Sequence, residues 1–230
     1  METGSHTSSP TSHRHHPGLP ENERSLVIIV DDDAAVREGL QELMLTVGVD
    51  CVCFASTGEL LGAGLPDRPG CLVLDVRMPG SSGLELQRHL TAQGNPKPIV
   101  FLTAHGDIPM TVKAMKAGAV DFLTKPFRDQ TLLDAVALGI ERDVAQRAET
   151  RVVSRHIERA QRLTPREQQV MRAMAYGQLN KQIAFDLGIS EVTVKLHRSN
   201  VMRKMEVASI GELVRAWEAL PAPMRSRFPG

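Results

Sequence analysis

The chain has 230 residues, 42% of them hydrophobic, with 27 Lys and Arg balancing 27 Asp and Glu. That composition fits a globular protein of one large or two ordinary domains. No run of about 18 apolar residues occurs, and the N-terminus lacks the basic-then-apolar order of a secretory signal, so a membrane span and export are not expected and the cytoplasm is the default compartment. The three cysteines, Cys51, Cys53 and Cys71, lack the paired spacing of a zinc site and read as reduced, buried, small hydrophobes.

The zero net charge conceals an asymmetry. Residues 25–137 carry 9 Lys and Arg against 14 Asp and Glu, a net of −5, whereas residues 159–230 carry 12 against 6, a net of +6. Two modules with different partners are expected, the second partner being anionic.

Residues 1–24 are rich in Ser, Thr, Pro, Gly and His, so they are expected to be a disordered tail. His13, His15 and His16 there either bind a metal or do nothing. Short apolar runs follow at Leu26–Val30, Val49–Phe54, Cys71–Leu74, Pro98–Thr103 and Ala119–Leu123, each of the kind buried on both faces of a parallel sheet. Between them, Ala34–Val47, Ile108–Ala117 and Gln130–Ile140 repeat apolar residues at helical spacing. Five βα units of this kind make a doubly wound α/β domain over residues 25–140. Residues 141–161, charged and free of Pro and Gly, read as a helical linker whose few apolar residues either stay solvated or pair with a second subunit.

The informative side chains stand at strand ends. Asp31, Asp32 and Asp33 follow the first strand, Asp75 closes the third, Thr103 the fourth, and Lys125 lies just past the fifth. In an open parallel sheet the carboxyl ends of the strands line one crevice, so these positions should converge. Clustered carboxylates beside a phosphate favour magnesium over zinc. The set suits phosphoryl transfer to Asp75, with Asp31 and Asp32 holding the metal, Lys125 offsetting the acyl-phosphate charge and Thr103 donating a hydroxyl hydrogen bond. Asp33 belongs either to this site or to the cap of the next helix.

The stretches VIIVDDDAAVREGL, CLVLDVRMPGSSGLEL and PIVFLTAHGDIPMTVKAMKAGAVDFLTKPF resemble the receiver domain of response regulators, closest to the FixJ subfamily. The resemblance implies a five-stranded parallel sheet in the order 2-1-3-4-5, Asp75 as phosphoacceptor, and Mg2+ held by Asp31, Asp32, Asp75 and the backbone carbonyl of Arg77. It implies that Thr103 and Phe122 move inward on phosphorylation, and that the Lys125-Pro126 bond is cis. Phe122 offers no tyrosine hydroxyl for that switch; the competing reading of Phe122 is a plain core aromatic.

The back half reads as a series of helices. Thr164, Pro165 and Glu167 form a helix start with a capping box, and that helix should end at Gly177. A second helix begins near Asn180. Gly188 permits a turn, and Ser190 caps a third helix that runs to about Met205 and partly buries Val192, Val194, Val201, Met202 and Met205. Ser209 opens a fourth. Two helices joined at a glycine turn match a helix-turn-helix unit. On the third helix Thr193, Lys195, Leu196, His197, Arg198, Ser199, Arg203 and Lys204, with Lys181 on the second, are the candidate DNA contacts.

The segment from Leu163 to Trp217 resembles the LuxR-type (NarL/FixJ) DNA-binding domain. The resemblance implies an all-α four-helix domain over residues 162–222; residues 223–230 are expected to be a disordered tail. It places Lys195, Leu196 and Ser199 at base edges, and Lys181, Thr193, His197 and Arg198 near the DNA backbone. The chain departs from the family pattern at Glu206, where glycine is usual, and at Ala208 and Ile210, where basic residues are frequent. The whole implies a two-component regulator. A sensor histidine kinase phosphorylates Asp75, the protein forms a homodimer, binds promoter DNA and activates transcription with RNA polymerase. Its only catalysis would be its own phosphotransfer and dephosphorylation. A metal-dependent phosphohydrolase using the same aspartates, and an RNA- or protein-binding role for the helical half, are the competing readings.

Overall fold

The computed structural model describes residues 20, 23–95, 97–104 and 106–228. The histidines of the expected N-terminal tail lie outside the described residues, whereas the Arg24 carbonyl at its end already accepts a hydrogen bond from Arg68 Nε at 3.1 Å. The chain divides into two compact units, one ending at Arg147 and one beginning at Ala148.

In the first unit β1 (Leu26–Val30), β2 (Asp50–Phe54), β3 (Gly70–Asp75), β4 (Ile99–Thr103) and β5 (Asp121–Thr124) form a parallel sheet ordered β2-β1-β3-β4-β5, the expected doubly wound arrangement. Helices α1 (Ala34–Thr46), α2 (Thr57–Ala63), α3 (Gly83–Ala92), α4 (Ile108–Lys116) and α5 (Asp129–Gln161) follow the strands in turn. Strand side chains alternate between faces, and both faces here are apolar. Leu26, Ile28, Val30, Leu72, Leu74 and Phe101 enter one core, whereas Val27, Ile29, Val73, Val100 and Leu102 enter the other with α1 and α5 residues. Cys51 and Cys71 are buried as expected, but Cys53 is only half-buried.

Register positions the site. Val30, Leu74, Phe101 and Phe122 share one row across the sheet, so Asp31 and Asp75 emerge side by side one residue later, and Thr103 one row beyond. Two helices that periodicity did not single out, α2 and α3, are announced instead by their caps. Ser56 accepts from the Glu59 N–H, and Ser82 with Glu85 forms a capping box.

Helix α5 runs for 33 residues through the expected linker. Within the first unit its residue Asp143 is buried at the sheet's amino end. There its carboxylate accepts from Gly70 N at 2.8 Å, Lys97 Nζ at 3.1 Å and Arg147 Nε at 2.9 Å. Burial drives the Lys97 ammonium below its ordinary range, with Asp143 opposing.

The second unit holds α6 (Pro165–Ala175), α7 (Asn180–Leu187), α8 (Glu191–Met205), α9 (Ile210–Ala219) and a short α10 (Ala222–Arg225). Thr164 and Glu167 make the predicted capping box, and Gly188 ends α7 at φ 65°, a left-handed value that glycine adopts without steric cost. Two expectations are corrected. Residues 223–228 are not a loose tail, because Phe228 is only 3% exposed, packs edge-on to Trp217 at 5.2 Å and accepts from Arg172 through its carbonyl. One aromatic ring is enough apolar area to hold a short terminal segment against a core. Val192 is not partly buried but 75% exposed, since it lies about 200° around the helix from fully buried Val194.

Candidate functional site: an acidic pocket and a cationic helix

The pocket is assembled by four strand ends. Lys125 Nζ sits between two carboxylates, 2.6 Å from Asp31 Oδ2 and 3.0 Å from Asp75 Oδ1. The other oxygen of Asp75 accepts from the Arg77 N–H at 2.7 Å. Asp31 is pinned in turn: its Oδ1 accepts from the Asp33 N–H at 3.0 Å, and its carbonyl accepts from Arg37 Nη1 at 2.6 Å. Lys125 is led to this point by its own N–H, which donates to the Thr103 carbonyl at 2.7 Å, and the Lys125-Pro126 bond is cis. Thr103 is fully buried at the end of β4.

Two carboxylates face one ammonium, and this balance of charge acts on Asp75 and Lys125. Burial pushes the Asp75 carboxyl above its ordinary range, with Asp31 adding to the rise and Lys125 and the Arg77 N–H opposing it. For Lys125 burial works downward, but the bonds to Asp31 and Asp75 outweigh it and hold the ammonium up.

Asp32 is exposed at the pocket rim. Asp33 takes the capping alternative, accepting from the N–H groups of Ala35 and Val36. Among the described residues no three ligand side chains already meet at one point. The donors that do converge are all carboxylate oxygen and carry excess negative charge. That chemistry fits a hard divalent cation such as Mg2+ and disfavours zinc.

Two glycines that sequence reasoning passed over shape the same region. A Cβ on Gly83 would lie 2.5 Å from the Asp75 carbonyl oxygen, and one on Gly106 would lie 2.9 Å from Thr124 Cγ2 and 3.2 Å from the Phe122 ring. Gly106 thus lies directly against Phe122 and near Thr103. Phe122 is half-buried and stands 6.0 Å from Phe101, ring centre to ring centre. The signal that could have found both glycines is their place in short connections beside strand ends, where close backbone approach favours glycine.

In the second unit Lys181, Lys195, Leu196, Ser199 and Arg203 are exposed, and Thr193, His197 and Arg198 are half-exposed. Lys181 and Arg198 line one hollow with Gln178 and Glu191. Thr193 Oγ1 lies 2.8 Å from the capping hydroxyl of Ser190. Lys204, on the same helix, is half-buried: its ammonium is 2.6 Å from Glu167 Oε2 and 3.3 Å from the Arg162 carbonyl.

Residues 27–137 match the response regulator receiver domain, and residues 161–217 match the bacterial regulatory proteins of the luxR family. Nodulation protein W of Bradyrhizobium diazoefficiens is 49% identical over 197 residues, covering 86% of this chain and 87% of that protein. The response regulator protein TodT of Pseudomonas putida is 50% identical over 196 residues, covering 85% and 86%. Among solved structures, that of the response regulator StyR is 49% identical with a TM-score of 0.77 over 85% of this chain and 98% of that one. Full-length FixJ from B. japonicum is 40% identical with a TM-score of 0.52, over 86% and 97%. The chain belongs to the LuxR-type response regulators, two-component transcription regulators that join a receiver domain to a helix-turn-helix DNA-binding domain.

Proposed function

We propose that Asp75 accepts a phosphoryl group from a sensor histidine kinase and that this event drives dimerisation and promoter binding. The observation that carries the reading is the Lys125 ammonium held between Asp31 and Asp75. A carboxylate oxygen of Asp75 attacks phosphorus, the P–N bond to the kinase histidine breaks, and the histidine nitrogen keeps the electron pair. No general base is needed, because the nucleophile is already ionised. Asp31, Asp32, Asp75 and the Arg77 carbonyl would hold Mg2+, which when bound offsets the charge on the phosphoryl oxygens. Lys125 exchanges its contact with Asp75 for one with the new phosphoryl group, and the Thr103 hydroxyl donates to another of its oxygens. Phe122, against Gly106, follows Thr103 inward and transmits the change to the surface formed by α4 and β5.

The paired copies then present two α8 helices to two half-sites. Each weak contact raises the effective concentration of the other. Lys195, Leu196 and Ser199 face base edges, Lys181, Thr193, His197 and Arg198 lie nearer the phosphates, and Arg203 extends the cationic flank. Lys204 is not among them, since releasing it would strand Glu167. The protein works in the cytoplasm and activates transcription through RNA polymerase.

The test uses the full chain with Mg2+ and a small-molecule phosphodonor. Wild type should gain one phosphoryl group by intact mass, shift to a dimer in size-exclusion chromatography and retain promoter fragments from its genome. Asp75→Asn should do none of these. A variant that still dimerised and bound DNA in response to the donor would end the proposal.

A further inference from the structure

The exposed side of α8 is not uniformly polar. Val192 is 75% and Leu196 is 61% exposed, while Val194, Val201 and Met205 on the opposite side are fully buried. Residues four apart on a helix stand one above the other, about 5–6 Å between Cβ atoms. Val192 and Leu196 therefore form one apolar patch. Lys195, Ser199 and Arg203, all exposed, frame it. A β-branched side chain in the first turn of a helix adds nothing to a core it does not touch and is not a strong helix former. Two side chains are also far short of the ~800 Å² per partner that a stable protein interface buries.

Cations around a small apolar patch are complementary to one surface in particular. The DNA major groove has phosphates along its walls, and on its floor the thymine C5-methyl is the apolar group that distinguishes one base edge from another. The unit's net charge of +6 over residues 159–230 supplies the attraction that brings the helix there.

Resting on the reading that α8 enters DNA, we propose that Val192 is a specificity-determining residue which, with Leu196, selects operators by the methyl groups of two thymines. The patch length matches base pairs that are adjacent or one apart, given a rise of about 3.4 Å per base. Lys195 and Ser199 then read polar edges beside them.

The experiment begins with duplexes enriched from a randomised pool by the phosphodonor-treated full chain. The enriched duplex is resynthesised with deoxyuridine replacing thymidine at one position at a time, which removes a methyl and nothing else. Wild type should bind about fourfold more weakly at one or two positions per half-site, the weight of one buried methyl group. Val192→Ala should abolish the difference at one of these positions and Leu196→Ala at the other. Both side chains lie outside the core, so the thermal melts of the variants should overlay wild type. Enriched duplexes that tolerate uracil everywhere would overturn the inference while leaving DNA binding intact. So would methyl sensitivity that persists unchanged in both variants. A pool that yields no enriched sequence would remove the reading of α8 itself, and the inference with it.

Discussion

Each unit contains a buried carboxylate bonded to a lysine, and the two pairs are built to opposite ends. In the second unit Glu167 meets Lys204 one to one, and its carboxylate also accepts the Thr164 N–H at 2.8 Å. Burial would raise that carboxyl, but these partners outweigh it and hold it below the ordinary range. In the first unit Asp31 and Asp75 share a single Lys125, and Asp75 is left above its ordinary range. A carboxylate whose charge is saturated holds structure together. One that is under-compensated still has affinity for a cation and a phosphoryl group.

That contrast can be broken experimentally, and the largest effect should come from a third buried ion group. Asp143→Asn leaves Lys97 with a buried, unpaired charge, and the first unit should lose about 3–5 kcal/mol of stability in urea unfolding. A loss under 1 kcal/mol would show that the network is merely decorative. Phe228→Ala should cost the second unit about 3–4 kcal/mol by opening a space beside Trp217. Tryptophan fluorescence during unfolding follows this directly. An unchanged midpoint would return residues 223–228 to the status of a loose tail.

The under-compensated carboxylate should respond to acid. Because the folded Asp75 carboxyl sits above its unfolded value, its ionisation costs stability at high pH, and that cost fades as pH falls through the folded value and is gone below the unfolded one. Lys125→Met removes influences that lower this carboxyl, so its titration, followed by the NMR shift of labelled aspartate, should move to still higher pH. Movement to lower pH would contradict the charge balance drawn for the pocket.

The smallest effect concerns Glu206, which ends α8 at φ 52° and forms an ion pair with Arg159. A left-handed conformation costs a residue with a Cβ about 1 kcal/mol, whereas an exposed ion pair contributes about 0.2–1 kcal/mol. Glu206→Gly should therefore raise stability by about 0–0.8 kcal/mol. In Arg159→Ala the same substitution should gain more. Equal gains in the two backgrounds would mean that the ion pair contributes nothing.

What could be read in advance divides along the same line as the physics. Alternating apolar runs, serine and threonine caps, the glycine turn at Gly188 and the placement of Asp31, Asp75, Thr103 and Lys125 at strand ends were all legible, since each depends on a few neighbouring residues and one topological rule. The pocket needed that rule because Asp31 and Lys125 stand 94 residues apart. The α8 surface needs only local periodicity, and there Val192 fits the core by its chemistry but not by its angle around the helix.

The amino-acid order by itself determined which segments become strands and helices, where the helices start, and which chemical groups each unit has to offer. Only the tertiary structure decided who meets whom. It gave Lys204 to Glu167, Lys97 to Asp143 and Phe228 to Trp217, and brought Gly83 and Gly106 against the pocket. The reason is that secondary structure is written in contacts a few residues long, whereas the partner of a buried charge or ring is fixed by packing between segments whose separation in the chain carries no signal of their nearness in space.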